Sequence, residues 1–71
     1  MFTMEQKSFL DCIDFDDNSR TVEGFKSAVE EMRRHTEDDY IVRSLDYIIA
    51  TATQSSIDEY FSHRHLGNIL V

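Results

Sequence analysis

Val22-Glu23-Gly24-Phe25-Lys26-Ser27-Ala28-Val29-Glu30-Glu31-Met32-Arg33-Arg34-His35 is the stretch on which the fold turns. Val22, Phe25, Ala28, Val29 and Met32 recur at steps of three and four, which places them along one narrow stripe of a helix. Glu30 and Glu31 lie about a turn before Arg33, Arg34 and His35, the favourable order both for ion pairing and for the helix dipole. Gly24 weakens the first turns by roughly 1 kcal/mol relative to alanine. Asn18 or Ser19 is the expected cap, giving a helix over 20–35.

Upstream, Thr3-Met4-Glu5-Gln6 is a capping box, in which Thr3 accepts from a backbone N–H three residues on and Gln6 reaches back. A short helix over 4–13 follows, turning Phe9, Leu10 and Ile13 inward. Asp14-Phe15-Asp16-Asp17-Asn18-Ser19 reads as a loop, because these short polar side chains compete for backbone donors. Downstream, Thr36 is expected to start a third helix, with Glu37, Asp38 and Asp39 at its positive end. Ile41, Leu45, Ile48, Ile49 and Ala52 form its apolar stripe. Continued without a break, that helix would carry Ile57, Tyr60 and Phe61 round to another side. A break near Thr53–Ser56 restores a common core, and Ser56-Ile57-Asp58-Glu59 is itself a capping-box sequence. The helices are therefore expected near 4–13, 20–35, 37–53 and 57–66, the last stopped by Gly67. Asn68-Ile69-Leu70-Val71 is expected to dock as an apolar tail.

The chain has no proline and only two glycines, so strand and hairpin punctuation is missing while helix starts recur. The fold class that follows is all-α, a small bundle of three to four short helices in one domain over 1–71. The expected core is Phe9, Ile13, Val22, Phe25, Val29, Met32, Ile41, Leu45, Ile48, Ile49, Ile57 and Phe61. So short a chain has a thin core margin, and the remedy expected here is a homodimer that buries Ile69, Leu70 and Val71.

Fourteen acids stand against seven lysines and arginines, a formal net charge of −7. That balance argues against direct nucleic-acid binding, which needs a concentrated basic face. It does not imply disorder, because apolar residues are plentiful and periodic. The single cysteine, Cys12, excludes an internal disulfide and fits a reducing, cytoplasmic setting. The first residues carry neither a basic segment nor a long apolar run, so no signal peptide is expected, and no stretch is long enough to span a bilayer.

Chemistry-bearing motifs are few. Asp14, Asp16 and Asn18 alternate like the opening of a calcium loop, but Ser19 and Phe25 stand where that loop needs glycine and a bidentate glutamate. His63 and His65 point to different faces of a helix, so no metal site is expected. Cys12 sits in an apolar-rich turn beside acids, a setting that favours a buried structural role over a nucleophilic one. No phosphate-cradling glycine loop or nucleophile elbow is present. The sequence thus points away from an enzyme and from any cofactor.

Two basic spots, Arg33-Arg34-His35 and His63-Arg64-His65, would make an anion site only if the second and fourth helices ended side by side. The surplus of acids is more informative. Asp11, Asp14, Asp16 and Asp17 form one cluster, and Glu37, Asp38, Asp39 and Asp46 another. Solubility is the modest explanation and a basic partner surface the stronger one. The candidate partner-binding residues are Asp14, Phe15, Asp16, Asp17, Glu37, Asp38, Tyr40 and Tyr60, the aromatics acting as anchors. The function expected is non-catalytic: regulation or inhibition of another macromolecule, by occupying a basic, often nucleic-acid-binding, surface. Small phage-encoded inhibitors and bacterial regulatory adaptors share this size and charge. The alternatives are an assembly subunit that works by oligomerising and a small DNA-binding regulator.

Overall fold

The computed structural model describes the backbone of residues 2–70 and the side chains of residues 2–63. Among the described residues there are four α-helices and no strand: α1 (Met4–Leu10), α2 (Val22–Arg34), α3 (Asp39–Thr51) and α4 (Gln54–Leu70). A short 3-10 turn, Asp17–Arg20, precedes α2. The all-helical architecture is the one the spacing of apolar residues predicts.

Local hydrogen bonding fixes each helix start. At α1 the Gln6 N–H donates to the Thr3 hydroxyl at 3.1 Å and the Thr3 N–H donates to the Gln6 side chain at 2.8 Å, the predicted capping box. The helix ends at Leu10 instead of Ile13, and Asp11 and Cys12 form a turn. The acidic loop is more ordered than a solvated linker. Asp16 and Ser19 cap the 3-10 turn reciprocally, with Ser19 buried and donating to Asp16 at 3.1 Å. That turn uses up Asn18 and Ser19, so Thr21 caps α2 instead, accepting from the Gly24 N–H at 3.0 Å.

Gly24 has a tertiary reason. The 3-10 turn packs so closely on α2 that a Cβ at Gly24 would lie 1.9 Å from the Asn18 carbonyl oxygen. Only glycine lets the two backbones meet there.

Thr36 does not cap α3. Its hydroxyl donates to the Met32 carbonyl at 2.7 Å, closing the end of α2, while Asp38 caps α3 by accepting from the Tyr40 and Ile41 N–H groups. The predicted break between the third and fourth helices is present, one turn earlier than expected. Ala52 is extended, and the box is built by Thr53 and Ser56, so Ser56 is the third residue of α4 and not its cap. The backbone of α4 continues through Gly67 to Leu70, whereas the sequence predicts a stop at Leu66. A glycine within a helix costs only about 1 kcal/mol, too little to end one by itself. The predicted docking of the tail lies outside the described side chains.

One cluster joins all four helices: Phe2, Leu10, Ile13, Phe25, Val29, Leu45, Ile48, Ala52, Ile57, Tyr60 and Phe61. Phe9, Val22, Met32, Ile41 and Ile49, expected inside, are half-buried at its edge. Phe25 is its centre, stacked between Phe15 (ring centroids 5.3 Å apart) and Phe2 (5.8 Å), with Phe61 edge-on at 6.2 Å.

Candidate functional site

The eight residues singled out as a binding surface do not stay together. Tyr60 is 2% exposed and its hydroxyl donates to Asp11 at 2.6 Å, so it is a core residue and offers no anchor to a partner. Phe15 is half-buried, packed on Phe25, Tyr60 and Phe61. A small helical domain needs each large side chain it has to close its core, so the loop before α2 supplies Phe15 and α4 supplies Tyr60.

The acids divide by role. Asp16 and Asp38 are caps. Asp11 holds Tyr60. Asp46 takes Arg33 at 2.5 Å, tying α3 to α2, so the second acidic cluster loses this member to an ion pair. Among the described residues, Asp14, Asp17, Glu37 and Asp39 are exposed with no hydrogen bond or ion pair from their carboxylates.

The basic spot at the end of α2 is internally compensated. Arg33 meets Asp46, while Arg34 and His35 both lie against Glu31, at 3.2 and 3.3 Å. Of the second spot, His63 is exposed, and Arg64 and His65 lie outside the described side chains. Among the described residues no group of three or more His, Cys, Asp or Glu is placed to hold a metal ion. None of the described helices is long and apolar enough to cross a membrane.

Two surface grooves lie beside candidate binding residues. The first is a groove of about 340 Å³ between the turn after α1 and the outer side of α2. Ile13, Ala28 and Met32 line it as apolar residues, with Asp14, Glu31, His35 and Cys12 around them. Cys12 is exposed here, against the expectation of burial, because α1 ends two residues before it and the turn carries its side chain outward. Its thiol faces the Ser8 carbonyl at 3.6 Å.

The second is a groove of about 430 Å³ between α1 and α3, lined by Thr3, Glu5, Gln6, Tyr40, Arg43, Ser44 and Tyr47. Met4, Tyr40 and Tyr47, the large hydrophobics most exposed among the described residues (86, 57 and 61%), all belong to these two helices. The Tyr40 hydroxyl donates to Glu5, and its ring meets Phe9 edge-on at 6.4 Å. That bond, with some desolvation and the nearby negative charge, holds the Tyr40 pKa above its ordinary value of 10.0. Sequence reading reached Tyr40 but missed Arg43 and Tyr47. The signal was present: residues 40, 43, 44 and 47 repeat at helical spacing beside the apolar stripe of α3.

Compared with protein-family models, with curated proteins and with solved structures, the chain finds no match.

Proposed function

We propose that this chain is a small non-catalytic, cytoplasmic binding protein that regulates or inhibits another protein by docking on its basic surface. The observation that carries this reading is the groove with an Ile13, Ala28 and Met32 lining, at whose rim Asp14 is an uncompensated acid while Glu31 is already engaged by Arg34 and His35. Asp14 stands at this groove, and Asp17 and Glu37 are likewise exposed with carboxylates engaged in no other contact among the described residues. Apolar contact holds such a complex, while opposite charge speeds encounter and selects the partner. The partner segment that fits is an amphipathic helix rich in lysine or arginine, laid with its apolar side in the groove. A segment of that kind is common on nucleic-acid-binding surfaces, whose function a protein of net charge −7 would block by occupancy. The DNA-binding alternative is disfavoured by the compensation of Arg33, Arg34 and His35 by neighbouring carboxylates.

The test is titration of the isotopically labelled protein with a synthetic lysine- and leucine-patterned amphipathic helix. Amide shifts should centre on Ile13, Ala28, Glu31 and Met32, and binding should weaken as salt rises. Replacing Asp14 and Asp17 by asparagine should weaken it further with the helical spectrum unchanged. Asp16 is left in place because it caps the 3-10 turn. Shifts spread over every acidic surface, or affinity indifferent to salt and to the double substitution, would overturn the reading.

A further inference from the structure

The groove between α1 and α3 differs in kind from the one beside Asp14. Its lining holds one acid, Glu5, and one base, Arg43, so it is locally neutral in a chain of net charge −7. Arg33 and Arg34 have carboxylate partners in their own chain, but among the described residues Arg43 has none. Asp39, one turn earlier on α3, adds an acid at the edge of the face without pairing with Arg43. The exposed residues here include two tyrosines and an arginine, types that interfaces favour.

We propose that a second copy of this chain covers this face, in a two-fold dimer with Tyr40 and Tyr47 packed about the axis. Arg43 of each copy then meets Glu5 of the other. Charge selects this occupant. The lining offers neither the acid surplus that would select a basic partner nor the basic surplus that a nucleic acid needs. A two-fold contact, by contrast, presents each patch to itself, so one cation and one anion per copy make two complementary pairs. Glu5 already accepts from Tyr40, but a carboxylate has about four acceptor positions and can take a guanidinium as well. A contact through the exposed Asp14, Asp17 or Glu37 would bring uncompensated acids together, a repulsion that acts over about 8 Å at physiological salt. The dimer uses a different face from the groove beside Asp14 and does not depend on it.

Sedimentation equilibrium over a micromolar concentration series tests this, with far-ultraviolet circular dichroism on each variant. The expected result is a species of twice the 8.3 kDa chain mass. Tyr47→Asp and Arg43→Glu should each weaken it about tenfold or more, the effect of losing roughly 1.4 kcal/mol. Adding Glu5→Arg to Arg43→Glu should recover part of the loss. Both positions are exposed, so helicity should hold; if Tyr47→Asp lost it, Tyr47→Ser would be read instead. Deleting residues 69–71, and replacing Asp14 and Asp17 by asparagine, should leave the dimer intact. A monomer at every concentration overturns the proposal. So does a dimer indifferent to the Tyr47 and Arg43 substitutions, or one abolished by removing residues 69–71.

Discussion

The Tyr60 hydroxyl donates to the Asp11 carboxylate at 2.6 Å, joining residues 49 positions apart and tying α4 to the end of α1. The ring of Tyr60 is buried against Phe2, Phe15 and Phe61. Tyr60→Phe should keep the fold and lose about 1 kcal/mol, the net worth of one such bond. Asp11→Ala should cost a similar amount, and the two together little more than either alone. Additive losses by chemical denaturation would show that the pair does not interact.

Phe25 and Leu45 are fully buried, and Phe25 is stacked between two other rings. Truncation to alanine should cost roughly 3 to 5 kcal/mol at Phe25 and 2 to 5 kcal/mol at Leu45. A domain of this length has only about 4 to 10 kcal/mol in total, so either variant should be largely unfolded near body temperature. A thermal midpoint within a few degrees of the parent would contradict this core.

Gly24→Ala separates local propensity from tertiary packing. Propensity alone favours alanine by roughly 1 kcal/mol. The clash with the Asn18 carbonyl acts the other way and is larger, because the obstacle is backbone. The expected net change is a loss of about 2 kcal/mol. A variant as stable as the parent would mean that the 3-10 turn does not pack on α2.

Two neighbouring acids should behave differently on substitution. Asp16→Ala removes the cap of the 3-10 turn and should cost about 0.5 to 2 kcal/mol. Asp17→Asn touches no partner among the described residues and should leave stability unchanged. Equal effects in thermal melts would mean that Asp16 serves only as surface charge.

Tyr40 predicts a pH effect. Its hydrogen bond to Glu5 favours the neutral phenol and raises the pKa above 10.0. The bond's contribution to folding is therefore complete below the unfolded tyrosine pKa of about 10 and is lost as pH rises through the higher folded value. Phenolate absorbance should show a tyrosine titrating late, and Glu5→Gln should bring it down. A titration unchanged by Glu5→Gln would break the assignment.

The sequence by itself determined the helices. Periodicity at three and four places Phe25, Val29, Leu45 and Ile48 inside, and the Thr3–Gln6 box starts α1 where the residues say it should. Such features are legible because they depend on residues within a turn or two of each other. Cap positions shifted where several candidates compete, as among Asn18, Ser19 and Thr21, because the chosen one depends on what the neighbouring turn does with the others. The candidate surface was decided only by tertiary structure. Asp46 became an ion-pair partner and Tyr60 a core residue through contacts 13 and 49 positions away. Tyr47 and Arg43 came to share a groove with Glu5 through the packing of α3 on α1. A sequence shows which side chains are polar or large. Which of them face a partner in their own chain, and which are left to face another, is set by the three-dimensional arrangement of helices that each local pattern leaves open.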